Sequence, residues 1–227
     1  MKLLYLILTL LLACEEVKVE TTKKTSENTT NESSSSSNLE KIDVLILPFE
    51  FKSKLFLWKS NSNIEFQLFN SFLDLFHKEY QIDLNLSLMY TGCIITFIKQ
   101  EIYESDFIEG NEKLDAAIKT GFQICADNYK TDKIKLFKYS ENIDDQYEKV
   151  KDAYKDAYIT ITTVLKQKNP RNYYYFHVLP LYITCHMVQT LQYYESIDYK
   201  LNDNSQTIVT NFATDCSNKL GLKYLFK

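Results

Sequence analysis

The chain has 227 residues and carries 26 basic and 30 acidic side chains, a formal charge of -4. With 45% hydrophobic and 14% aromatic residues it can bury a core, so disorder throughout is excluded. Four glycines and three prolines are too few for a many-stranded sandwich or a glycine-rich phosphate cradle, and a single arginine, Arg171, argues against phosphate or nucleic-acid recognition.

Met1-Lys2 and the apolar run Leu3 to Ala13 have the shape of a secretory leader, residues 1–13, too short to span a bilayer. Two cleavage readings stay open. Leu11-Leu12-Ala13-Cys14 looks like a bacterial lipobox with Cys14 as a lipid anchor, whereas a eukaryotic signal peptidase would cut near Ala13, with Leu11 large for its position. Residues 14–40 form a Ser/Thr/Asn/Glu-rich linker that cannot repay its ordering entropy. It carries glycosylation sequons at Asn28 and Asn31, with a third at Asn85 in the folded part. Leader and linker hold four basic and six acidic residues, which leaves 22 and 24 beyond them, nearly neutral and with no bias toward a polyanionic partner.

Beyond the linker, Ile42 to Phe51 alone reads as extended; the rest predicts an all-α chain of about six helices. Ser62-Asn63-Ile64-Glu65 has capping-box spacing and opens a face at Phe69, Phe72, Leu73, Phe76 and Tyr80. A helix over 83–103 runs through Leu88, Cys93, Ile95, Ile98 and Ile102. After a turn at Gly110, Leu114, Ala117, Ile118, Gly121, Cys125 and Tyr129 mark the next face. Ile143, Tyr147, Val150, Tyr154, Ala157, Ile161 and Val164 form a seven-residue seam ending at Asn169-Pro170. A helix over 172–196, kinked or restarted at Pro180, precedes a last one over 204–220, with Ile208, Val209, Phe212, Ala213 and Cys216 inward.

The six helices divide into two matching sets of three, residues 41–132 and 133–227. Lys54-Leu55-Phe56 matches Lys135-Leu136-Phe137, and Leu86 to Cys93 matches Leu179 to Cys185 with one residue fewer. Tyr103-Glu104-Ser105 matches Tyr194-Glu195-Ser196, and Cys125 and Cys216 each follow 20 residues later. The first helix of the second set is expected to be about three turns longer. Residues equidistant from the turn of an antiparallel hairpin face each other. The midpoint of Cys93 and Cys125 is position 109 and that of Cys185 and Cys216 lies in the polar stretch 198–204, which predicts two bridges, Cys93–Cys125 and Cys185–Cys216. Two such bridges favour ordinary secretion over the lipoprotein reading.

None of the common nucleophile, zinc, phosphate-loop or dinucleotide motifs is present. His77 is expected to be solvated, and His177 and His186 fall on opposite helix faces, a poor metal pair. No catalytic residue, cofactor or metal is expected. Residues 172–194 carry no charge, yet their scattered Asn, His and Gln argue for a buried central helix rather than a membrane span. Tyr147, Tyr154, Tyr173, Tyr174 and Tyr175 are the expected contact surface or pocket lining. The reading is therefore a secreted, extracellular, disulfide-stabilised helical protein that binds another protein, as a secreted effector or a salivary, venom-like or extracellular ligand does. The alternatives are a carrier of a small apolar ligand held between the two halves, and a lipoprotein anchored through Cys14.

Overall fold

The computed structural model describes residues 62–107, 111–129, 143–168 and 173–198, with 200, 202, 204–220 and 222. The expected leader, the expected linker and the extended reading at Ile42 to Phe51 lie outside the described residues. Within them the protein is all-helical: α1 (Ser62–Asp74), α2 (Leu84–Glu101), α3 (Glu112–Asn128), α4 (Ile143–Lys168), α5 (Tyr173–Ser196) and α6 (Ser205–Lys219).

Helix α1 runs on into a π-helical turn, Leu75–Glu79. The Tyr80 amide donates to the Leu75 carbonyl at 3.0 Å, and Gln81 turns the chain at φ 54°. Asp83 then caps α2, accepting from the Asn85 amide at 2.9 Å and the Leu86 amide at 3.3 Å. Asn111 does the same for α3 through the Lys113 amide. The capping box expected at Ser62–Glu65 is not formed by Glu65. Its side chain points inward and is fully buried. Tyr80, expected on the inward face, is 61% exposed because the chain has already left the helix there.

Helices α2 and α5 are buried on nearly every side and make the most extensive contact in the molecule. Helix α5 was legible as an uncharged stretch, and α2 likewise carries no charge from Leu84 to Ile98. They cross antiparallel, with Gly92 against Thr184 and Lys99 against Phe176. A β-carbon at Gly92 would lie 2.0 Å from Thr184 Oγ1 and 3.0 Å from Thr184 Cβ, so only glycine admits the approach. Around this pair, α1 packs on α2 and α4, α4 on α5, α3 on α2 and α6 on α5.

The α4 seam is broader than a seven-residue repeat. Tyr147, Val150, Tyr154, Ala157 and Ile161 are buried, and so are Ala153, Tyr158, Thr162 and Leu165, while Val164 is only partly covered. A helix packed on two neighbours needs a wider stripe than one packed on a single partner. Helix α4 spans 26 residues, against 18 for α1 with its π turn. Over the described residues the excess is about two turns. The remaining length lies before Cys185, since α5 starts 12 residues ahead of it and α2 starts nine ahead of Cys93.

Replacing Gly92 by alanine is expected to destabilise the protein by about 1–3 kcal/mol through overpacking, outweighing the ~1 kcal/mol helical advantage of alanine. Adding Thr184→Ala should return part of that loss. Urea unfolding of the two single variants and the double variant measures both effects.

Candidate functional site

The expected bridges are present. Cys93 of α2 joins Cys125 of α3, and Cys185 of α5 joins Cys216 of α6, each with Cα atoms 6.1 Å apart. All four cysteines are fully buried. Each bridge closes its own hairpin over 32 or 31 residues. The Gln189 amide lies against the second bridge, 3.3 Å from Cys216 Sγ, and donates to Asp215 Oδ2 at 3.2 Å.

The tyrosines divide differently from expectation. Tyr147 and Tyr154 belong to the α1–α4 contact and are buried, so they form no external surface. Tyr154 stacks on Phe69 with ring centroids 3.6 Å apart, and Tyr147 stacks on His77 at 5.1 Å. The Tyr147 hydroxyl donates to Asp74, which also accepts from Lys151 Nζ at 2.9 Å. Periodicity marks an apolar face without saying whether this chain or another covers it. Tyr173, Tyr174 and Tyr175 form the first turn of α5, and their side chains lie outside the described residues. So do Cys14, Asn28 and Asn31. Asn85 sits in the first turn of α2 with 3% of its surface exposed, so the folded protein has no room for a glycan there.

Two buried ionic or ionisable groups were not anticipated. Lys99 of α2 is fully buried and pairs with the equally buried carboxylate of Glu65 on α1. Its Nζ also donates to the Phe176 carbonyl of α5 at 2.7 Å. Burial pushes the Glu65 carboxyl above its ordinary range, against the pull of Lys99 and the Tyr158 hydroxyl. The Tyr154 and Tyr158 phenols are pushed well up by burial and by the nearby Glu65. Such a pair is costly to bury and costly to break. In the sequence, Glu65 reads as part of a capping box. The only available signal for the pair was the place of both residues on otherwise apolar faces.

All three histidines are buried. His77, expected in water, is drawn in by the π turn, where its Nδ1–H donates to the Ile82 carbonyl at 2.9 Å. His186 is fully buried between α5 and α6, and its Nε2–H donates to the Val209 carbonyl at 3.2 Å. Burial lowers its pKa to about 4. Among the described residues no group of three His, Cys, Asp or Glu side chains is placed to hold a metal, and no helix is long and apolar enough to cross a membrane. Comparison with protein-family models, curated proteins and solved structures finds no match to this chain.

Replacing Cys93 and Cys125 together by alanine is expected to cost about 3–4 kcal/mol in the chain-entropy account, read as a lower urea midpoint. Protonation of His186 is favoured in the unfolded chain, whose imidazole keeps its ordinary pKa near 6.5, over the folded one, at about 4. Its stabilising effect is therefore complete above pH ~6.5 and is lost as pH falls toward 4, a swing of about 3 kcal/mol. Glu65, Asp83 and Glu195, whose carboxyls are raised by burial, act in the opposite sense as they protonate. The His186 contribution is thus read as the difference between the stability–pH curves of the parent protein and His186→Gln, which should narrow steadily between pH 6.5 and 4.

Proposed function

We propose that the protein is exported, folds as two related helical trios stapled separately, and acts by binding another protein. Export is supported by the two bridges standing behind a leader and a polar linker, since cystines persist in oxidising compartments. The duplication is supported by the crossing itself. Gly92 and Thr184 each immediately precede the bridged cysteine of their central helix, and they touch each other. Equivalent positions meet in this way where a two-fold axis relates two copies of a unit. The order of packing agrees: first helix on second and second on third within each trio, first on first and second on second between them.

The observation that carries the binding reading is where the exposed apolar side chains fall. Among the described residues the large exposed ones are Tyr80, Tyr103 and Ile159. Tyr103 follows the end of α2, which lies beside the start of α5, and Ile159 adjoins Tyr158, level with Phe66 near the start of α1. Tyr103 and the first turn of α5 thus lie at one end of the α2–α5 pair and Ile159 in the same half of the bundle, while Tyr80 closes α1 toward the other. The exposed tyrosine there, Tyr103, suits a protein contact, with an apolar body and a hydroxyl tip.

A photoreactive side chain installed at Tyr103 is expected to capture a protein from extracellular material of the source organism, and the same group at Tyr80 is not. Capture at both positions alike, or at neither, overturns the binding surface.

A further inference from the structure

Proline has no amide hydrogen, so Pro180 cannot donate to the carbonyl four residues earlier, and helix α5 nevertheless runs through it unbroken from Tyr173 to Ser196. The carbonyl left over is that of Phe176, which lies inside the protein. The donor it receives comes from another helix: Lys99 Nζ of α2, at 2.7 Å. That lysine is fully buried, and Glu65 of α1, also fully buried, supplies the countercharge.

We infer that Pro180, Lys99 and Glu65 form one lock that sets how the second trio docks on the first. The proline opens an acceptor in α5, the lysine fills it from α2, and the glutamate makes the buried cation tolerable. The lock sits two turns from the glycine contact along α2, with Lys99 seven residues past Gly92 and Phe176 eight residues before Thr184. Two fixed points on one pair of antiparallel helices define both the crossing and the register. A slide of one residue moves Nζ ~1.5 Å along the axis and carries it around the helix, away from the carbonyl. Apolar contacts tolerate such a slide, but a hydrogen bond from a buried ammonium does not. In this arrangement Lys99 is a positioning residue, standing in for the missing amide of residue 180.

The lock makes positions 99 and 180 depend on each other. Pro180→Ala restores an amide that can donate to Phe176. In the parent protein that acceptor is already occupied, so the substitution should gain little. In Glu65→Leu/Lys99→Met, where the carbonyl has lost its donor, the same substitution should raise the folding equilibrium constant at least tenfold more than in the parent, and the backbone amide introduced at position 180 should become strongly protected from hydrogen exchange. An equal effect of Pro180→Ala in both backgrounds, within twofold, overturns the lock. If the charge-free variant does not fold, recovery of its native circular dichroism by Pro180→Ala supports the lock, and failure to recover overturns it. The unmodified protein gives an independent reading by NMR: slow exchange of the Lys99 Nζ protons and a coupling through the hydrogen bond to the Phe176 carbonyl carbon. A rapidly exchanging amine without that coupling overturns the proposal whatever the variants do.

Discussion

The structure depends on two helices, buried on nearly every side, that cross at a glycine. With α2 and α5 enclosed on nearly all sides, a buried polar atom on them is costly to leave unanswered. Much of the answer is local. Thr184 donates to the Pro180 carbonyl at 3.1 Å and Thr190 to the His186 carbonyl at 2.8 Å, while Ser87 reaches the Ile82 carbonyl at 3.1 Å. Returning the hydroxyl to the same helix, or to the turn before it, lets threonine and serine sit in the interior without a distant partner. Where no local acceptor serves, the answer crosses between helices, as with His186 to Val209 and Lys99 to Phe176. Two of the polar residues that set α5 apart from a membrane span, His186 and Gln189, tie it to α6.

Covalent and non-covalent restraints are divided between two tasks. Each disulfide joins a central helix to the outer helix that follows it. Among the described residues no bridge links α1–α3 to α4–α6. That joint includes the close contact at Gly92, the stack of Phe69 on Tyr154, the bonds of Tyr147 and Lys151 to Asp74, and the ion pair reaching from α1 and α2 to α5. The bridges act mainly by restricting the unfolded chain, and they do so within each hairpin. Orientation between the trios falls to packing and to a small number of buried polar contacts, which contribute specificity as much as stability.

What the sequence disclosed follows the same division. The helices, the two buried ones among them, could be read because periodicity and the lack of charge depend on each helix's own surroundings. The cystine pairing could be read because a hairpin fixes which positions are level. Contacts between trios could not. Tyr147 and Tyr154 stand on a regular face that a partner could equally have covered, and only the fold assigns them to α1. Glu65 has the spacing of a cap, and nothing local says that a lysine 34 residues away will claim it. His77 adjoins Lys78 and Glu79 and reads as solvated, until the widened turn at Leu75–Glu79 swings its ring under Tyr147.

This also bears on where a partner would act. With Tyr147 and Tyr154 engaged inside the molecule, the exposed large apolar side chains among the described residues are few, and α3 and α6 turn mainly polar residues outward. The central crossing is closed by direct contact at Gly92 and Thr184, so a ligand between the trios would have to separate surfaces already in contact. The half of the bundle bearing Tyr103 and Ile159 has less such cost, because these side chains keep about half their surface exposed. It is also where Lys99 holds the first turns of α5. A surface there would inherit its shape from the lock beneath it, and the rigidity of the α2–α5 joint would keep it organised before any partner arrives.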